Sequence, residues 1–195
     1  GIVASVERIY SYIEPGSILN CNNYGTISAS GTAIGITGSC YGNIKNCSNY
    51  GVLKNIGDIE GGGWIYGITG YLEGEISDCK NTASLTSNAH AAGIAGGVSG
   101  IMTRCNNSGN IEADYCAGGI LGTQSDQATI SDCYNTGNIE GGTYAGGIIG
   151  RVSSRFSCPV IVSCVNKGKI TTAAGQAGGI VGLGDYYTYI DKCVN

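Results

Sequence analysis

Charge is scarce in this 195-residue chain: Asp, Glu, Lys and Arg together make 12 % of it, about half the ordinary share. Two Pro, one Phe, one Met, one Trp and one His are the other rarities. Each shortage excludes something. Disordered chains pair low hydrophobicity with high net charge, whereas here 42 % of positions are hydrophobic and the net charge is −4. Collagen needs abundant Pro and Gly at every third position, and neither is present. No apolar run approaches the ~20 residues that span a bilayer, so no membrane insertion is expected. Ten scattered Lys and Arg give no clustered cations for nucleic acid. The chain also lacks His-Glu-x-x-His, a nucleophile elbow and a P-loop, so no metal, cofactor or catalytic residue is implied.

What is abundant is Gly, 35 residues, and much of it falls in register. One signature, Ile-x-x-Cys-x-Asn-x-Gly-x-Ile, is anchored at Cys21, Cys47, Cys79, Cys105, Cys133, Cys164 and Cys193. Three residues before each Cys stands Ile18, Ile44, Ile76, Met102, Ile130, Ile161 or Ile190. Two after it stands Asn23, Asn49, Asn81, Asn107, Asn135, Asn166 or Asn195. A second signature, Gly-Ile-x-Gly, centres on Ile36, Ile68, Ile94, Ile120, Ile148 and Ile180. The Cys anchors recur every 29 residues on average, inside the ~20–50 range of solenoid arrays. From Cys to the next Gly-Ile the interval is 15 or 16 residues, except for one of 21 around Gly57 to Gly63. The return to the next Cys varies from 11 to 19 residues, so loops grow on that arm. Gly1-Ile2-Val3 and Cys193-Val194-Asn195 both fall inside the pattern, so residues 1–195 read as a single repeat domain cut from a longer solenoid.

Cys-x-Asn-x-Gly-x-Ile has the period of a strand, which puts Cys21, Asn23, Gly25 and Ile27 on one face. Segments this short do not fit helices. The expected fold is all-β: a β-solenoid, or parallel β-helix, of about six to seven rungs, each with two or three short strands. The expected hand is right, the default for parallel crossovers. Ile columns would fill the interior, and the Asn column would form a side-chain amide ladder. Gly beside Ile would mark close backbone approach or a positive-φ corner.

The Gly-Gly-Ile-x-Gly and Cys-x-Asn-x-Gly-x-Ile elements, clearest at Gly118 to Gly122 and Cys133 to Ile139, resemble the GLUG repeat. That repeat occurs in bacterial cell-surface and secreted proteins, including IgA-cleaving metallopeptidases and adhesin-like proteins. The resemblance spans essentially the whole chain and implies an extracellular or cell-surface location. It also implies a stalk or adhesive role, with a host or bacterial surface protein or glycan as partner and no catalytic residues. The alternatives are an accessory region of an extracellular enzyme such as an IgA-cleaving metallopeptidase, and a solenoid carbohydrate-active enzyme.

Seven of the ten Cys share one column. Rungs ~4.8 Å apart hold parallel Cβ atoms beyond the ~3.8 Å typical of a disulfide, so a ladder of buried free thiols is expected. Cys40, Cys116 and Cys158 lie outside it and are the better candidates for a bridge or for reactivity. His90 shares a tolerant column with Thr32, Trp64, Cys116, Tyr144 and Gln176, and is expected to be exposed decoration. Arg104 falls between Asp78 and Asp132 in another column, where a surface ion-pair ladder is expected. Insertions of a solenoid often form its binding face. Here they carry Tyr10, Tyr12, Arg151, Arg155, Tyr186, Tyr187 and Tyr189, the candidate binding residues.

Overall fold

A computed structural model describes residues 3–6, 16–56, 62–124, 126–153, 158–184 and 187–195, with side chains from residue 16 onward. Among these residues there is no helix, and the strands form four parallel sheets, one of eleven strands and three of six. The fold is a β-solenoid of about six turns. One turn starts on a first, long face at Thr37–Lys45, then crosses a second at Ser48–Asn49 and a third at Leu53–Asn55. It passes a fourth at Trp64–Tyr66 and rejoins the first at Thr69–Ser77. Register follows the sequence columns: Ile18, Ile44, Ile76, Met102, Ile130, Ile161 and Ile190 are successive partners.

Four strands per turn, where two or three were expected, result from corners the sequence does not advertise. The residue before each column Cys sits in the left-handed region: Asn20, Asn46, Asp78, Arg104, Asp132, Ser163 and Lys192, with φ between 50° and 56°. For a side chain other than Gly, Asn or Asp that conformation costs about 1–2 kcal/mol. Two hydrogen bonds offset it. The corner N–H donates to the next rung, as from Asp78 N to Thr103 O at 3.2 Å. The following Cys donates its Sγ–H to the carbonyl two residues back, as from Cys79 to Ser77 at 3.3 Å and Cys133 to Ser131 at 3.3 Å. The thiol column is therefore a column of donors that close a corner. All ten Cys are free. Burial pushes the Cys105 thiol well above its ordinary range, which keeps it protonated and able to donate.

The Asn column is a second corner. Each side-chain amide donates twice. Asn81 donates to Ala83 O and to Asn107 Oδ1, both at 2.8 Å, and Asn107 to Gly109 O and Asn135 Oδ1, both at 2.8 Å. The chain runs without a break from Asn23 to Asn195.

Facing this column is the Gly of Gly-Ile-x-Gly. A Cβ on Gly119 would lie 2.7 Å from the Asn135 Cγ and would also strike the Gly147 carbonyl. These glycines are close-approach positions; their φ is not positive. The contact divides the interior. Cys47 and Ile36 belong to one buried cluster, Leu53 and Ala33 to another, with Asn49 and Gly35 between them in the chain. Each fully buried Ile contributes roughly 2 kcal/mol.

Loops enter the first face at one place. Unbroken strands carry Gly42, Gly74 and Gly100 there, at φ of 148°, 139° and 133°. Later turns split instead, into Leu121–Gln124 with Ala128–Ser131 and Ile149–Val152 with Val160–Val162. The insertion at 57–61 lies outside the described residues.

Asn107→Ala leaves Gly109 O and Asn135 Oδ1 without their donor, and should lower stability by on the order of 3 kcal/mol. Gly119→Ala should cost at least as much, while exposed Ser108→Ala stays within about 0.5 kcal/mol; urea midpoints at unchanged slope would measure all three. Ellman titration of the denatured chain without reductant should find ten thiols, and the native chain should react first at exposed Cys158. Fewer than seven in the denatured chain would contradict the free-thiol column.

Candidate functional site

Fourth-face strands turn their middle residue inward: Ala33, Ile65, Ala91, Ala117 and Ala145 are buried in the second cluster. The residue after it therefore points outward, into the angle where the fourth face meets the first. In later turns that residue is Gly118, Gly146 or Gly178, and a Cβ on each would collide with the carbonyl of Leu121, Ile149 or Val181. Backbone packs on backbone there and the angle is shut. In the first two turns the same position holds Ile34 and Tyr66, whose side chains occupy the angle and prop it open.

The product is a groove of about 740 Å³. Thr32, Trp64, Tyr66 and His90 line one wall, and Ser39, Tyr71 and Thr123 the other. The buried Tyr66 ring lies against Gly96, where a Cβ would come within 2.6 Å of it. Burial raises the Tyr66 phenol and keeps it protonated. Tyr71 Oη donates to Asp126 Oδ2 at 3.3 Å.

From the groove an aromatic file continues across the turns. Ring centroids are 5.9 Å apart for Trp64 and His90, 5.0 Å for His90 and Tyr115, and 5.4 Å for Tyr115 and Tyr144. Arg151 ends the file, its guanidinium 5.3 Å from the Tyr144 centroid and its Nη1 donating to Tyr115 Oη at 3.5 Å. Burial, and then the Arg151 charge, lower the His90 pKa, so the imidazole is neutral at pH 7.

Of the candidate binding residues, Arg151 is thus part of this file. Tyr187 and Tyr189 are exposed, Tyr189 opening the last strand beside Val160. Tyr10, Tyr12, Arg155 and Tyr186 lie outside the described residues. The expectation of an exposed column at His90 holds only in part: Thr32, Trp64 and Gln176 are exposed, His90 and Tyr144 are half-buried, and Cys116 is fully buried. The first face packs onto that column, so that a Cβ on Gly150 would sit 2.7 Å from Cys116 Sγ. Sequence reasoning passed over Trp64, Tyr66 and Tyr71, although the replacement of Gly by Ile34 and Tyr66 before Gly-Ile was a visible signal.

Two further expectations change. Arg104 makes a bidentate pair with Asp78, Nε to Oδ1 at 2.7 Å and Nη2 to Oδ2 at 2.9 Å, which lowers the Asp78 pKa. Among the described residues no ion pair joins Arg104 to Asp132, so there is one surface pair and no continuous ladder. Cys40 is a buried core thiol raised by desolvation, and burial pushes Cys116 up to about 11. Neither is bridged, and of the three Cys outside the column only Cys158 is exposed. Elsewhere on the surface, Tyr24 stacks on Tyr50 at 4.9 Å and 4°.

Residues 113–140 match the family model of the GLUG motif. The same columns recur along the whole chain in one register. The match covers one repeat, and the other turns resemble it in their Cys, Asn and Gly columns. Its fold is similar to the crystal structure of a Bacteroides ovatus protein provisionally named an immunoglobulin A1 protease. That likeness has a TM-score of 0.66 at 21 % identity and covers 98 % of this chain and 66 % of the other, just under two thirds of its length. At that identity the likeness speaks for the fold alone. None of the curated proteins compared matches the chain.

The solenoid should show a depressed His90 pKa by NMR titration, and Arg151→Ala should bring it part of the way back up. Because the folded pKa lies below the unfolded one, the unfolded state binds the extra proton first as pH falls. Stability should therefore decline below about pH 6.5 and level off below the folded pKa, and His90→Gln should remove that dependence.

Proposed function

We propose that the chain is a non-enzymatic β-solenoid segment of a bacterial cell-surface or secreted protein, serving as a rod that carries an adhesive surface for host or bacterial protein or glycan. The aromatic file and its groove carry this reading. Among the described residues they hold the longest run of ring contacts, while the Asn amides of the interior are spent on one another. Large amphipathic rings with a polar rim are the usual anchors of recognition surfaces. The GLUG motif supports a surface or secreted setting.

A second reading, an accessory region of an extracellular peptidase, draws on the Bacteroides ovatus neighbour, which extends beyond the part this chain covers. A solenoid carbohydrate-active enzyme is less supported. Among the described residues no three His, Cys, Asp or Glu are arranged to hold a metal ion. Glycosidase chemistry needs two carboxylates at a set separation, and Asp78 is instead occupied by Arg104.

Screening the 195-residue chain against glycan and host-protein arrays should give specific binding without turnover. Depolymerisation of any bound polysaccharide by the isolated chain would overturn the non-enzymatic reading, and an array without a ligand would overturn the adhesive one. Arg104→Ala should leave binding unchanged.

A further inference from the structure

We infer that the groove between the first and fourth faces is a binding site for a neutral oligosaccharide, with Trp64 as its stacking platform. This rests on the adhesive reading above and gives it a site and a ligand class.

Three observations lead there. The first is charge. The chain carries a net charge of −4, yet among the described residues no Asp, Glu, Lys or Arg lines the groove. The lone titratable base, His90, is held neutral by burial and by Arg151. Of the flanking charges, Asp126 and Glu73 are acidic and stand by Tyr71, while Arg151 lies at the far end of the file. An anionic glycan or nucleic acid finds no matching field in such a site, whereas an uncharged ligand loses no ionic solvation on entering.

The second is the pairing of rings with hydroxyls. Trp64 is 48 % exposed, so much of its ring surface is open to a flat apolar partner, and it meets His90 at 77°. Across from it lie Ser39 and Thr123, with Thr32 on the near side. Each of these hydroxyls both donates and accepts. A sugar ring offers a matching apolar face of C–H groups and a rim of hydroxyls that also do both. A proline-rich peptide, the other common guest of aromatic grooves, offers mainly carbonyl acceptors.

The third is access. Gly38 and Gly97 leave part of the surface as bare backbone, so a flat ligand can lie close. The groove's volume is in the range of small-ligand sites, enough for a short oligosaccharide.

Trp64 is the only Trp in the chain, so intrinsic tryptophan fluorescence reads the groove directly. The full chain would be titrated with cellohexaose, maltohexaose and laminarihexaose. A polygalacturonate oligomer and a polyproline peptide would be the comparators. At least one neutral hexasaccharide should shift the Trp64 emission with saturation, without dependence on salt, and the comparators should not. By calorimetry, Trp64→Ala should weaken binding about tenfold or more.

Gly97→Leu fills the groove by another route. A Cβ there meets nothing closer than Thr123 O at 3.4 Å, so the fold is kept, and binding should be lost. Tyr24→Ala, on another face, should leave binding unchanged. Absence of a shift with every neutral sugar, or a stronger shift with either comparator, would overturn the inference. Sugar binding that survives Trp64→Ala and Gly97→Leu would overturn this site while leaving the adhesive reading standing.

Discussion

The whole coil depends on one contact, the Asn side-chain amide pressed against a glycine of the opposite arm. The amide has two N–H groups and spends one on the backbone of its own corner and one on the next amide. A buried amide with both donors and its acceptor satisfied escapes the penalty of an unpaired polar group. It can reach that state only if the opposite strand comes in without a Cβ, which is why Gly119 faces Asn135 and Gly93 faces Asn107. The two signatures of the sequence are the two halves of this contact. Everything else in a turn may drift in length or chemistry as long as those halves meet.

That division of labour explains where variation is allowed. Inward columns are Ile, Cys and Asn because each packs or bonds with its own copy one rung away. Outward columns have no such tie and change character at every turn. The groove is a case where one change on the outside altered shape rather than decoration. Replacing the small residue before Gly-Ile by Ile34 or Tyr66 keeps the amide contact intact yet wedges two faces apart. The scaffold thus tolerates a surface cleft without loss of its own closure.

Much of the fold was legible because a stacked coil turns sequence columns into neighbours: aligning Ile18, Ile44 and Ile76 by eye is the same act as pairing them. The number of faces was not legible. Its corners fall on Asn46, Asp78, Arg104, Ser163 and Lys192, a column without a shared residue type, held in the left-handed region by hydrogen bonds on either side rather than by its own preference. The abundant Gly did not mark these corners, since Gly67 and Gly93 serve close approach, one of the two roles expected of them, rather than turning. Sites were harder still. Tyr66 and Tyr71 are five residues apart in sequence, yet they line one groove only because the chain turns a corner between them. Loop tyrosines such as Tyr187 drew attention through position, whereas the side chains that converge are those the coil brings together from separate turns, Trp64, His90, Tyr115 and Tyr144.

Every amide in the Asn column points the same way, each earlier turn donating to the later one. The column is therefore a wire of aligned dipoles threaded through the rod, positive toward one end and negative toward the other. Such an object has a direction. It can be prolonged only by a turn that arrives in the same sense, and two rods meeting front to front would oppose like poles. Growth by this interaction is open-ended and head-to-tail in type, never the self-matching kind that closes a twofold pair, and the sense of the chain is written into the rod as an electrical polarity.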